Sequence, residues 1–116
     1  MTDRIVLTIP TDPRFRGVGT LVVGGVGARL ELSYERMEDL QLALLSALDA
    51  AFDGEVTLEI DAAPDGLTLT VGPLRDGSAS DGGLGLVLSR LVDEVEHEHR
   101  DGKAWVALRV APRAPG

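Results

Sequence analysis

Five short segments of the chain predict β-strands: four contain several branched apolar residues, and the fifth, Val95–His99, has an alternating pattern. The pattern is clearest in Glu55–Ile60, where apolar and polar residues alternate so that one face of the strand is apolar. The other predicted strands are Arg4–Ile9, Leu67–Val71, Val95–His99 and Ala104–Val110. Turn residues at Pro64-Asp65-Gly66 and Asp101-Gly102 join four of these strands into two hairpins.

Apolar residues at steps of three and four predict three helices. The longest, Ser33–Phe52, begins at a residue type that caps helix N-termini and is stopped by Asp53-Gly54. Its predicted buried face consists of Met37, Leu40, Leu44, Ala47, Leu48 and Ala51. A shorter helix is predicted from about Leu84 to Leu91 or Val92, after a loop over Gly72–Gly83.

The first predicted helix starts at Asp12-Pro13, because Asp is a good N-cap and Pro suits the first helical position. Its predicted apolar face is formed by Phe15, Val18, Leu21, Val22, Val26 and Leu30. The segment also contains glycines that weaken a helix, at Gly17, Gly19, Gly24, Gly25 and Gly27. So many glycines indicate either a close approach to another backbone or local fraying.

The elements follow one another as strand, helix, helix, strand, strand, helix, strand, strand. This order predicts an α+β fold, a two-layer sandwich with a mainly antiparallel sheet of four to five strands and three helices on one face. The 116 residues suit one domain, which we assign to residues 1–110. Residues 111–116 are predicted to be a disordered tail.

Charge and composition exclude several classes of function. The net charge of −8 repels phosphate backbones, so direct nucleic-acid binding is not expected. The absence of cysteine excludes disulfides and thiolate chemistry. The longest apolar stretch, Val18–Leu30, is too short and too interrupted to span a bilayer, and the N-terminal residues carry no apolar signal core. We therefore expect a cytoplasmic protein without membrane contact.

Three stretches carry a resemblance to a known superfamily. They are Ile5–Val26, the segment LSYERMEDLQLALLSALDAA at Leu32–Ala51, and the segment GLGLVLSRLVDEVE at Gly83–Glu96. In this order and spacing the chain resembles the histidine-kinase-like ATPases, and more narrowly the small anti-sigma-factor serine kinases of bacteria. The resemblance implies the Bergerat-type ATPase fold and a nucleotide pocket formed by Gly83, Leu84, Gly85, Leu86, Ser46 and Gly72.

The resemblance also identifies which chemical groups are missing. The family carries an acidic base and, four residues later, an Asn that helps hold Mg²⁺; the matching positions here are Ser46 and Ala50. A serine hydroxyl is not a general base near neutral pH, and an alanine offers no oxygen to a hard cation. Asp49 lies one residue from Ala50 and is expected to face another direction. The family's adenine-binding Asp is also absent, because the strand continues into Gly72-Pro73.

These losses favour a regulatory protein-binding module that resembles an anti-sigma factor, without catalysis and with lost or weakened ATP binding. The resemblance implies a sigma factor or an anti-anti-sigma (STAS-type) protein as partner, whereas the missing groups predict that the chain uses no cofactor. One alternative is an active serine kinase that uses ATP and Mg²⁺ to phosphorylate an anti-anti-sigma partner. A second alternative is a small-ligand sensor that uses the vacated pocket. The glycine-bearing first helix or an exposed sheet edge suggests a homodimer.

Two further patterns have both a functional and a structural interpretation. Gly82, Gly83 and Gly85 precede a helix whose N-terminus favours an anion, although Asp81 opposes one and a tight turn explains the glycines equally well. His97 and His99 share one strand face and form a possible zinc pair, with Asp93 or Glu94 as a third ligand. A solvated strand face is the structural alternative for the histidines. Trp105 and Phe15 are expected in the core or on a sheet face.

Overall fold

A computed structural model describes residues 3–75 and 83–112 of the chain. Its single sheet is antiparallel throughout and has the strand order β1-β2-β3-β5-β4. The strands are β1 (Asp3–Pro10), β2 (Glu55–Ala63), β3 (Gly66–Leu74), β4 (Glu94–Arg100) and β5 (Lys103–Val110). The helices are α1 (Arg16–Arg29), α2 (Tyr34–Asp49) and α3 (Gly83–Leu91). The predicted α+β fold and the predicted order of elements are confirmed.

One hydrophobic core joins the sheet to the helices. In β2 the alternation found in the sequence is the observed burial pattern, since Val56, Leu58 and Ile60 are almost fully buried. They pack in one cluster with the buried face of α2, which includes Leu40 and Leu44. Both predicted hairpins are present in the sheet. At the second hairpin, Asp101 and Gly102 have φ values of 52° and 78°, as a tight turn between twisted strands requires.

Helix α2 begins where the sequence predicted but ends earlier. The hydroxyl of Ser33 accepts a hydrogen bond from the backbone N–H of Arg36, so Ser33 is the N-cap. The helix ends at Asp49 instead of continuing to Phe52. The reason is long-range pairing with the end of β3. Phe52 donates its backbone N–H to Pro73 O at 2.9 Å, and Arg75 donates its own to Ala50 O at 2.8 Å.

The predicted apolar face of the first helix is right for Val22, Val26 and Leu30, which pack against the core, and wrong for the other three residues. The helix starts as expected, with Asp12 as N-cap of a short 3₁₀ turn over Pro13–Phe15 that leads into α1. The buried residues of α1, however, are Gly19, Val23 and Gly27, whereas Leu21 is 76% exposed. Val18 and Phe15 are also exposed, and Val22, Val26 and Leu30 are only partly buried. Apolar residues occur on every side of this helix, so their periodicity did not identify the side that faces the core.

The glycines of α1 make room for side chains rather than for another backbone. A Cβ at Gly19 would lie 3.3 Å from Leu58 Cδ2, on the sheet. A Cβ at Gly27 would overlap the side chain of Met37, on α2. Gly17 and Gly25, by contrast, have open space around them. The prediction of close approach is therefore right at Gly19 and Gly27, but the approaching atoms belong to side chains.

The second strand of the first hairpin is longer than predicted. This strand, β3, runs through Gly72 and ends at Leu74. The predicted loop over Gly72–Gly83 therefore begins later, and residues 76–82 lie outside the described residues. The last residues of the predicted tail, 113–116, also lie outside them.

An ion pair between Arg36 and Asp93 connects α2 to the residue before β4. Both side chains also bond to the backbone of Ala111, just after β5. Arg36 donates hydrogen bonds to the Asp93 carboxylate and, at 2.9 Å, to Ala111 O. The same carboxylate accepts the backbone N–H of Ala111 at 2.7 Å. Burial acts to raise the pKa of Asp93, but the bonds from Arg36 and Ala111 outweigh it and hold this pKa below its ordinary value.

We expect Asp93→Asn to lower the free energy of unfolding by about 1–2 kcal/mol at neutral pH, because a charge-assisted contact is lost. A carboxyl whose pKa is lower in the folded state stabilises the fold above its unfolded pKa, about 3.9, and this stability is lost as the pH falls through the folded pKa. The variant should therefore lose less stability than the parent below about pH 5. Urea unfolding at several pH values measures this.

Asp65→Asn is the matched control, because Asp65 is 76% exposed and pairs with Arg109 on the surface. It should change stability by less than about 0.5 kcal/mol. Equal effects of the two substitutions would contradict the assigned role of Asp93.

Candidate functional site

The two positions that the resemblance assigns to chemistry lie in the last turns of α2. Ser46 is half-buried, and its hydroxyl donates a hydrogen bond of 3.0 Å to Leu42 O of its own helix. Ala50 is the C-cap residue and is 7% exposed. Its backbone oxygen accepts the N–H of Arg75, so the end of α2 is attached to the end of β3.

Among the described residues, two arginines surround the C-terminus of α2, and no cluster of acidic side chains lies there. The guanidinium of Arg75 donates to Asp49 O at 2.8 Å and to Ala51 O at 3.4 Å. The carboxylate of Asp49 is 2.6 Å from the Arg16 guanidinium, on α1. Positive charge is favourable here because helix C-termini carry partial negative charge. The sequence reasoning missed both arginines; no local motif marks Arg75, since its partners are backbone carbonyls of a distant segment.

Gly83, Leu84, Gly85 and Leu86 form the first turn of α3. Leu86 is 56% exposed, while Leu84 packs against the core. A Cβ at Gly85 would make ordinary contact with the His97 ring, 3.6 Å from Nε2, so this glycine is not required by crowding. Asp81 and Gly82, the other residues of the predicted anion-binding turn, lie outside the described residues.

Gly72 has a different environment from the other candidate residues. Leu67, Leu69 and Val71 of the same strand face the core, and alternation along β3 turns the Cβ position of Gly72 to the opposite face of the sheet. There the ring of Trp105 lies directly over it, and a Cβ at residue 72 would overlap that ring. The structure thus gives Gly72 a packing role on the open face of the sheet. Trp105 lies on a sheet face, as predicted.

A chain of charged side chains crosses this open face beside Trp105. The Arg100 guanidinium stacks 4.3 Å from the centre of the Trp105 ring and donates to Glu59 at 2.8 Å and to Glu98 at 3.1 Å. Arg4 pairs with Glu59 from the other side, at 3.2 Å. The hydrogen bond from Arg100 holds the pKa of Glu59 below its ordinary value, and Glu59 in turn raises the pKa of Arg100. Glu59 therefore stays ionised to a lower pH than an isolated glutamate does.

The remaining sequence hypotheses concern metals and membranes. Within residues 3–75 and 83–112, no three His, Asp or Glu side chains come together as a metal cluster, so the His97 and His99 pair has no third ligand there. None of the helices in the described part of the chain has the length and apolarity needed to cross a membrane.

Comparison with known proteins identifies the family to which this scaffold belongs. No protein-family model matches the chain. Curated relatives do match: the serine-protein kinase RsbW of Listeria innocua is 30% identical over an alignment that covers 94% of this chain and 88% of the relative. RsbW of Bacillus subtilis is 27% identical over an alignment that covers 86% of this chain and 81% of the relative.

RsbW of Halalkalibacterium halodurans is 30% identical, with 86% of this chain and 78% of the relative covered. The alignment with the Listeria innocua protein runs over 138 positions although this chain has 116 residues, so that relative carries residues with no counterpart here. Identity at this level over nearly the whole chain agrees with the element order and with the segments at Leu32–Ala51 and Gly83–Glu96. The chain belongs to the RsbW family of small histidine-kinase-like proteins.

Proposed function

We propose that this chain is a regulatory protein-binding module of the anti-sigma type that has lost phosphotransfer. The single observation that carries the proposal is the C-terminus of α2, where Arg75 and Arg16 surround Ala50, the position that the family resemblance assigns to a magnesium ligand. The relatives are named serine-protein kinases, and that activity is the rival function for this chain.

The side chains at this end of α2 do not fit a magnesium–nucleotide complex. A hard divalent cation needs several oxygen ligands, and carboxylates are the usual ones. Asp49 is the carboxylate next to Ala50, and it is paired with Arg16. The backbone oxygens of Asp49, Ala50 and Ala51 accept hydrogen bonds from Arg75, whose positive charge would repel a cation.

Ser46 does not compensate for the missing acid. Its hydroxyl donates a hydrogen bond to Leu42 O, and a neutral hydroxyl is far too weak a base to accept a proton at neutral pH. A protein that neither holds Mg²⁺ nor removes a proton can still bind partners through its surface. The partners that we propose are a sigma factor or a STAS-type anti-anti-sigma protein, met in the cytoplasm.

Partner binding tests the proposal. We expect the chain to bind an alternative sigma factor or a STAS-type protein from its own organism, with the same affinity in Mg·ATP and in EDTA, when titrated by calorimetry. Ala50→Asn is the matched variant and should bind the same partner equally well. Absence of binding to every such protein, or binding only in Mg·ATP, would refute the proposal.

We also propose that two copies of the chain associate through the side of the molecule formed by β1 and α1. Strand β1 is an edge of the sheet, and Val6 on it is 57% exposed. Leu21 on α1, in the helix layer, is a second exposed large apolar residue. Light scattering on the parent and on Leu21→Asp tests this: we expect a dimer that the substitution weakens, and a monomeric parent would contradict it.

A further inference from the structure

A cleft of about 460 Å³ lies at the end of the sheet opposite to the C-terminus of α2. Pro64, in the β2–β3 turn, lines it, whereas Ala50 pairs with Arg75 at the other end of β3. The nine residues of β3 separate these ends by about 25 Å. The cleft is therefore separate from the positions that the family resemblance assigns to nucleotide.

The cleft exists because no side chain of the described residues fills the space between the last turn of α1 and the first residues of β1. Ile5 pairs with Ile60 in the register of β1 and β2 and shares its face, yet Ile5 is 40% exposed while Ile60 is fully buried. At the next core-facing position of β2, Ala62 replaces the larger side chains found earlier in the strand. Val26 and Leu30 close the wall on the helix side and remain partly exposed.

Two side chains of opposite charge also line the cleft, among the apolar residues. Asp3 lies at the start of β1, and Arg29 lies in the last turn of α1. Within the described residues neither side chain takes part in an ion pair. A cavity of this volume, mostly apolar and with a few polar groups, has the properties of a small-molecule site, in which the charges orient the ligand.

We propose that this cleft binds a small apolar zwitterion, the chemistry of a hydrophobic amino acid or a short apolar peptide. The ligand's side chain lies against Ile5, Val26 and Ala62. Its carboxylate faces Arg29 and its ammonium faces Asp3. Both charges of the protein thereby gain a partner that residues 3–75 and 83–112 do not supply.

An NMR titration with L-phenylalanine and with leucyl-phenylalanine tests the proposal and separates the two sources of the zwitterion. We expect saturable shifts of the amides of Ile5, Val26 and Ala62 with at least one of them. Phenylpropionate and phenylethylamine each lack one charge, so each should bind about tenfold more weakly. Absence of saturation with both zwitterions at millimolar concentration, or equal binding of the analogues, would overturn the proposal.

Two substitutions make the test specific to the cleft. Ala62→Leu fills the space and should abolish binding while the rest of the amide spectrum stays folded. Arg29→Gln should weaken binding about tenfold. Arg90→Gln, in the last turn of α3, is the control for loss of one exposed arginine and should bind like the parent. Unchanged binding in Ala62→Leu would overturn the assignment of the site.

Discussion

Gly72→Ala is expected to lower the free energy of unfolding by about 2–3 kcal/mol, a large fraction of the stability of a small domain. The added Cβ would overlap the Trp105 ring, which is held in place by Arg100. Residue 72 does not need a positive φ, so the cost is steric and comes from moving the ring. Chemical denaturation of the parent and the variant measures it.

A double-mutant cycle with Trp105→Ala isolates this contact. Once the ring is removed, Gly72→Ala should cost less than about 1 kcal/mol, which gives a coupling energy of about 2 kcal/mol. Gly25→Ala is the matched control, because a Cβ there meets no atom within 4 Å and alanine favours the helix; it should stabilise by up to about 1 kcal/mol. Additive effects of the two substitutions at residues 72 and 105 would show that the ring does not require a glycine.

The second prediction with a large expected effect is a very low rate of phosphoryl transfer. With Mg·ATP and a STAS-type partner, the chain should transfer the γ-phosphoryl group at least about 100-fold more slowly than RsbW of Bacillus subtilis does with its own partner. The physical reason is the absence of both a base at Ser46 and a metal ligand at Ala50. Transfer of labelled phosphate, followed on a gel, measures the difference.

Restoring the missing groups provides the internal comparison. Ser46→Glu alone still lacks the metal ligand, and Ala50→Asn alone still lacks the base, so each single variant should stay as inactive as the parent. The double variant should gain measurable transfer, because groups that act as a unit have strongly non-additive effects. Transfer by the parent at a rate close to that of the relative would contradict the loss of catalysis.

Local patterns in the sequence account for most of the fold. Alternation in β2 and the cap at Ser33 involve residues within a few positions of one another, and both predictions are confirmed. The face of α1 was not predictable in this way, because its apolar residues surround the helix and the choice of face depends on Leu58 and Ile9 from the sheet. The early end of α2 likewise depends on a segment more than twenty residues away.

In the candidate site, too, local features could be predicted from the sequence and contacts between distant segments could not. The sequence placed Ser46 and Ala50 on one helix; in the structure Ser46 lies in α2 and Ala50 is its C-cap residue, paired with Arg75 after the end of β3. It did not predict Arg75 and Arg16, since their partners come together only in the folded chain. Nor did it predict that Gly72 lies under Trp105, because this contact depends on the pairing of β3 with β5, which is more than thirty residues away along the chain.

The most direct test of the account is the binding of Mg·ATP to the parent chain, measured by calorimetry and by amide NMR, with RsbW of Bacillus subtilis as the positive control. Because neither Ala50 nor the paired Asp49 can hold the cation, we predict no saturable heat at millimolar Mg·ATP and no shift at Ser46, Ala50 or Gly85. Saturable binding that requires Mg²⁺ and shifts these amides would contradict the account.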